Sequence, residues 1–307
     1  MALYNNILET IGNTPLVRLE KIEKKFNIKS NIYAKLESFN PANNVKTRPA
    51  FYMIKDLYER KVIDSSYKLI ESTSGNTGIG IAMIGAFYGN EVIITMPDSV
   101  SKERIDVLKH YGAKVVLTPG ELGINGSNDL AKELLKKEEK AIQPSQFSNE
   151  KNPLSHYQTT ARELERDLEN IDYIFATVGT GGTVTGIGKY FKEKGLETKI
   201  IAIEPANSPV LSKGIKGPHK IQGIGPGFIP EIFNYNFIDE ILTVGDEEAY
   251  ELTKLIPKIE GISAGISSGA CLKAAINYLS EHKIINKNIV VIFPDSGEKY
   301  FSTNVFE

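Results

Sequence analysis

The chain has 307 residues, 41% hydrophobic and 24% charged, and Lys plus Arg (36) against Asp plus Glu (38) leave a net charge of −2. At this length roughly three quarters of the unfolded chain's surface is removed on folding, which supports a packed core and a prior of about two domains. Such a composition excludes wholesale disorder, supplies no field for nucleic acid or anionic lipid, and with Cys271 as its lone cysteine excludes a disulfide framework and fits a reducing compartment.

The first residues, Met1-Ala2-Leu3-Tyr4-Asn5-Asn6, lack the basic region and apolar stretch of a secretory signal. The most apolar segment, 79–88, is far short of the ~20 residues of a spanning helix, so a soluble, cytoplasmic protein with no membrane partner is expected. In chain order, short β-branched runs predict strands at 31–35, 67–71, 91–95, 114–117, 173–178, 199–203 and 289–293. Several are apolar almost throughout, as in strands covered on both faces.

Helical patterns lie between these runs. One begins near Arg48-Pro49, with proline suited to a first turn, and another follows Asn76-Thr77-Gly78. The pattern at 101–111 stops at Gly112, 128–137 follows Ser127, and 154–168 carries a polar stripe of Arg162, Glu163, Arg166 and Asp167. Further helices start near Val184, at Asp246 and at Cys271. The alternation predicts an α/β fold of βα units and mainly parallel sheets. Periodicity breaks at Pro144-Ser145-Gln146-Phe147-Ser148-Asn149, which suggests a domain boundary near 145–152.

Three strand-to-helix junctions carry unusual chemistry, and in open parallel sheets such junctions are where ligands bind. Gly179-Thr180-Gly181-Gly182-Thr183 brings backbone N–H groups, two hydroxyls and a helix amino end together, a phosphate cradle without Lys or Arg. The plain alternative is a tight turn capped by threonine. The dinucleotide pattern fails because position 184 is Val184, and the mononucleotide loop fails because Gly188-Lys189 is followed by Tyr190. Neither a nicotinamide dehydrogenase nor an NTPase is supported.

The second junction, Ser72-Thr73-Ser74-Gly75-Asn76-Thr77-Gly78, offers neutral donors that suit a carboxylate, beside a helix rich in small residues. At the third, Gly265-Ile266-Ser267-Ser268-Gly269, helix capping by Ser267 or Ser268 is the plain reading. Lys46 ends a turn-rich, otherwise uncharged loop, Asn40-Pro41-Ala42-Asn43-Asn44-Val45. A lysine in a neutral pocket can lose its charge and act as nucleophile or base, whereas most lysines are simply solvated. The histidines His110, His156, His219 and His282 show no metal-ligand spacing, so no metal is expected.

In chain order these segments resemble the cysteine synthase (O-acetylserine sulfhydrylase) family of fold type II pyridoxal-phosphate enzymes. The resemblance runs from Ile11-Gly12-Asn13-Thr14-Pro15-Leu16-Val17 through Lys46, Thr73–Gly78, Lys102-Glu103-Arg104 and Gln146-Phe147. It continues through Gly179–Thr183, Gly225-Pro226-Gly227-Phe228-Ile229-Pro230 and Ser267-Ser268-Gly269 to Pro294-Asp295-Ser296-Gly297. It implies two open, twisted, mainly parallel sheets flanked by helices, as in the tryptophan synthase β fold. The implied domains are 1–148 and 149–307, with about 13–34 crossing over to pack with the second and pyridoxal phosphate in the cleft between them.

The resemblance further implies that Lys46 binds the cofactor aldehyde and removes the substrate Cα proton. It gives Gly179, Thr180, Gly181, Gly182 and Thr183 the phosphate, Asn76 the ring hydroxyl and Ser268 the pyridine nitrogen. Thr73, Ser74, Thr77 and Gln146 take the amino-acid carboxylate. The implied reaction is β-replacement on a β-substituted L-alanine through an aminoacrylate, O-acetyl-L-serine and sulfide giving L-cysteine. The implied partners are small amino acids and a second copy in a homodimer; a serine acetyltransferase partner is left open.

Two departures bear on the substrates. Asn44 and Thr47 alter the usual lysine loop, and Glu231 follows Phe228-Ile229-Pro230 where the family usually has glycine. A carboxylate there would repel hydrosulfide but could orient water, deprotonate a thiol or bind a second amino acid's ammonium. The alternative function is therefore L-cysteine consumption, releasing hydrogen sulfide and forming L-lanthionine or L-serine. A β-eliminating dehydratase is disfavoured because such enzymes usually replace the Thr73–Thr77 pattern.

Overall fold

The computed structural model describes residues 3–73 and 75–306; Ser74 lies outside them. Ten strands are present among the described residues: β1 (Leu16–Arg18), β2 (Asn31–Leu36), β3 (Lys68–Ser72), β4 (Val92–Pro97), β5 (Lys114–Thr118), β6 (Ala141–Ile142), β7 (Tyr173–Thr177), β8 (Lys199–Pro205), β9 (Glu240–Val244) and β10 (Asn288–Phe293). They form a six-stranded sheet in the order β1-β2-β10-β7-β8-β9 and a four-stranded sheet in the order β5-β4-β3-β6. Every pairing is parallel except β1 with β2. The fold is therefore α/β with two open, mainly parallel sheets flanked by helices. The seven predicted strands all occur, and β1, β6 and β9 were not among them.

Strand composition follows from burial on both faces. In β10, Ile289, Val291 and Phe293 enter one apolar cluster with Phe175, Leu252 and Ala270. Val290 and Ile292 point the other way, into a cluster with Ile174, Val184 and Ile187. A period of two with both faces covered favours apolar residues on either side of the strand. The smaller sheet does the same with Leu69, Ile81 and Ile94 on one side and Ile70, Ile93 and Ala131 on the other.

Two helices differ from their predicted form. The one expected after Ser127 spans Gly123–Lys137. Its first turn holds Gly123 and Gly126, which hide it from periodicity, and Ser127 is a buried interior residue whose hydroxyl meets that of Thr118 at 2.7 Å. The pattern at 154–168 is three pieces, Lys151–Ser155, a π-helical turn His156–Thr160, and Ala161–Asp167. Such π turns commonly occur at functional sites.

Candidate active site

A cleft holding about 970 Å³ of space, its open mouth included, lies where the carboxyl ends of β3, β7 and β10 converge. Lys46, Thr73, Asn76, Thr77, Gln146, Gly179, Thr180 and Thr183 all line it. The topology thus joins residues more than a hundred positions apart. Gly181 and Gly182 continue the lining loop, Ser268 is buried just beyond Ser267, which does line the cleft, and Ser74 falls outside the described residues.

Lys46 is held by its neighbours. Its N–H donates to Asn44 Oδ1 at 2.9 Å, Asn44 donates to the Ala42 carbonyl at 2.6 Å, and Val45 N–H donates to the Pro294 carbonyl at 2.8 Å. The loop is thereby stitched to the end of β10 just before the helix Thr47–Glu59 begins. Asn44 is thus structural: it spans the turn that aims Lys46. Removal from water lowers the Lys46 ammonium to about 8, against the opposing pull of Asp295 and Glu37. At that value a far larger share of the amine is neutral, and so nucleophilic, near neutrality than for a solvated lysine.

The loop after β7 is shaped around its backbone. Gly181 has φ +84°, and a side chain there would stand 2.9 Å from Phe233 Cβ, so only glycine fits. Its neighbour Thr180 accepts from Asn152 Nδ2 at 3.1 Å, and Thr183 meets His156 Nε2 at 3.2 Å. His156 Nδ1 in turn meets Thr160 at 2.9 Å. Burial, with the cations Arg48 and Lys46 nearby, keeps His156 well below its usual value and hence neutral. The loop opens the helix Gly182–Glu193, whose amino end adds partial positive charge. Asn152 and His156 were missed as site residues; only their fold neighbours reveal them.

Across the cleft, β3 runs into Thr73 and the helix Asn76–Tyr88. Thr77 donates to Gln146 Oε1 at 2.5 Å, and Gln146 Nε2 donates to the Ser72 carbonyl at 3.3 Å. Asn76 is oriented by charge: its Nδ2 donates to Asp295 at 2.7 Å while its Oδ1 accepts from Lys299 Nζ at 3.1 Å. A carboxylate only accepts and an ammonium only donates, so the amide has one orientation.

Ser268 corrects one expectation. Gly265 is the N-cap of the helix Ile266–Glu281, and neither Ser267 nor Ser268 caps it. The Ser268 hydroxyl is fully buried with no hydrogen-bond partner among the described residues. Glu231 is exposed and is not among the cleft-lining residues. Its loop nevertheless adjoins the rim: Phe228 packs edge-on against the lining residue Phe147 at 5.0 Å, and Ile232 N–H donates to the Phe147 carbonyl.

One cleft thus brings together a lysine of lowered basicity, the glycine-threonine loop at the start of one helix and the Thr73 and Thr77 hydroxyls beside the start of another. The chain matches the family described as pyridoxal-phosphate dependent enzyme over residues 7–295, and it belongs to that family. It is 44% identical over 307 residues to cysteine synthase B of Campylobacter jejuni, with the whole of both chains covered. A hydrogen sulfide-producing enzyme from Fusobacterium nucleatum is 44% identical with a TM-score of 0.94, covering 97% of this chain and 100% of that one. The cysteine synthase of Entamoeba histolytica is 39% identical with a TM-score of 0.94, covering 99% and 91%. The protein is thus a cysteine synthase-like, pyridoxal-phosphate dependent β-replacement enzyme.

The residues present fit that cofactor. Ser268 has a buried hydroxyl in want of a partner, Lys46 an amine lowered to about 8, and Gly179–Thr183 a run of backbone and hydroxyl donors at a helix start. Among the described residues no cluster could hold a metal, and no helix is long and apolar enough to cross a membrane.

Proposed function

We propose that this enzyme makes L-cysteine from O-acetyl-L-serine and sulfide. The observation that carries the reading is one amine, Lys46, sharing a cleft with two sets of polar groups, Thr73 with Thr77 and the loop Gly179–Thr183, each at the amino end of a helix, where anions are favoured. In this reading Gly179–Thr183 hold the phosphate, Asn76 the ring hydroxyl and Ser268 the pyridine nitrogen, while Thr73, Ser74, Thr77 and Gln146 hold the substrate carboxylate. Bound pyridoxal phosphate supplies an electron sink for negative charge at the substrate Cα, so that a β-substituent can leave.

Lys46 Nζ takes the Cα proton, and it stands ready because burial has already weakened its hold on its own proton. The neutral Ser268 hydroxyl does not hold a proton on the ring nitrogen as a carboxylate would. This favours loss of a β-substituent over transamination. Division into domains 1–148 and 149–307, a homodimer and a cytoplasmic setting belong to the same reading.

A second reading, consumption of L-cysteine with release of hydrogen sulfide and formation of L-lanthionine or L-serine, is favoured by the likeness to a sulfide-producing enzyme and by Glu231 on a loop beside the rim. The exposure of Glu231 supports the first reading, because a general base must reach its proton. The test is product analysis of wild type and Glu231→Gly, with O-acetyl-L-serine plus sulfide and with L-cysteine alone. The first reading expects cysteine from the former and little sulfide from the latter in both proteins. Rapid sulfide release from cysteine, lost by about 100-fold or more in Glu231→Gly, would replace it with the second.

A further inference from the structure

Glu71 is a fully buried carboxylate at the end of β3, and no step above uses it. Its partners are neutral donors. Oε2 accepts from Ser145 N–H at 2.8 Å and Gln146 N–H at 3.4 Å, and Oε1 accepts from Gln143 Nε2 at 3.0 Å and Ser72 N–H at 3.2 Å. Burial pushes the group up to about 7 despite these four bonds. A carboxylate that costs this much to bury, without a cation partner in its hydrogen-bond shell, calls for a reason.

The reason lies in how β6 ends. Its ladder with β3 covers only Lys68 opposite Ala141 and Leu69 opposite Ile142. Pro144, two residues later, has no N–H to continue it. The Glu71 side chain then takes over the role of the missing strand, receiving the next two N–H groups of the chain. Ser145 turns through a left-handed φ of 62°, and Gln146 enters the cleft to meet Thr77. One carboxylate therefore fixes, at the same time, the strand that feeds the Thr73–Thr77 loop and the residue that faces it.

We propose that Glu71 is a positioning residue for substrate recognition: it sets the backbone of Gln146 against Thr77 and so preforms the pocket for the amino-acid carboxylate. The inference rests on the reading of Thr73, Thr77 and Gln146 as that pocket. Glutamine at 71 retains size but has a single acceptor oxygen, so an NH₂ group must face N–H donors on one side.

The experiment compares wild-type, Glu71→Gln, Glu71→Asp and Gln146→Ala holoenzymes. It measures kcat, the KM for O-acetyl-L-serine, cofactor absorbance and hydrogen exchange at the 145 and 146 amides. Glu71→Gln is expected to raise KM on the order of tenfold with kcat within about threefold and cofactor content unchanged. Exchange at both amides should quicken by a similar factor. Glu71→Asp, which keeps the carboxylate, should lie between this variant and wild type, and it carries the same test if Glu71→Gln does not fold.

A wild-type KM in the Glu71 variants beside a raised KM in Gln146→Ala would overturn the Glu71 inference alone. So would a fall in kcat and cofactor content as large as the rise in KM. A wild-type KM in Gln146→Ala would overturn the carboxylate-pocket reading and the inference with it.

Discussion

A lysine just before a helix inside a protein meets opposing demands: burial disfavours its charge, and nearby carboxylates favour it. For Lys46 burial wins, and the ammonium falls from 10.5 to about 8 although Asp295 and Glu37 pull the other way. Only the neutral amine attacks an aldehyde, so capture of added pyridoxal phosphate by the apoprotein should quicken about tenfold per pH unit below 8 and level off above it. Stopped-flow absorbance across pH 6 to 10 checks this, and a flat profile would refute it. The same shift makes the native apoprotein bind fewer protons than the unfolded chain between about 8 and 10.5, so this group's contribution favours folding increasingly as pH rises through that window. Local sequence showed Lys46 only as one cation in a neutral loop. The tie of Val45 to Pro294, and the clamp of Asp295 and Lys299 on Asn76, required chain segments far apart in sequence to meet.

At the scale of elements, small residues govern how closely the helices approach the site. The helix Gly182–Glu193 lies against the segment carrying Asn152 and His156, and a Cβ on Gly186 would run into the carbonyl of Pro153. Backbone cannot swing aside as a side chain can. Gly186→Ala gains about 1 kcal/mol in helix propensity but should lose about 1–3 kcal/mol by overpacking, and so be neutral to about 2 kcal/mol less stable. Because the helix must shift, phosphate should bind less tightly at its amino end. Urea unfolding and cofactor titration check both effects, and a more stable variant with unchanged affinity would refute the account. The strands buried on both faces were legible because their apolar runs are unbroken. The two-residue β6, the glycine-containing start of Gly123–Lys137 and the π turn at His156–Thr160 were not, since each owes its form to partners outside the segment.

Across the whole molecule, a buried ion cluster fastens the start of the lysine helix to the carboxyl-terminal half. Arg48 donates to Glu37 at 2.7 Å and 2.8 Å and to Glu163 at 2.6 Å and 2.8 Å, and Lys35 pairs with Glu163 at 2.8 Å. Burial works against the Arg48 charge, but the two carboxylates outweigh it and hold the guanidinium above its usual range. Burial likewise disfavours the Glu163 charge, and Arg48 with Lys35 holds that carboxyl well below its usual range. Arg48→Met would leave these carboxylates partly uncompensated, at a cost of about 3–5 kcal/mol. With about 2.1 cal/mol/K of unfolding entropy per residue, the midpoint in calorimetry should fall by about 5–8 °C. A change under about 1 °C would show that the cluster is not what joins these segments.

The sequence by itself determined the α/β class, the strands covered on both faces and the glycine and threonine loops, because these depend on local periodicity and on residue types within a few positions. Only the tertiary structure decided that Ser268 is a buried hydroxyl and not a cap, and that Glu231 stands outside the cleft lining. Those outcomes depend on contacts between distant segments, where the enclosure of a group and the charge of its neighbours, rather than its own chemistry, set what it does.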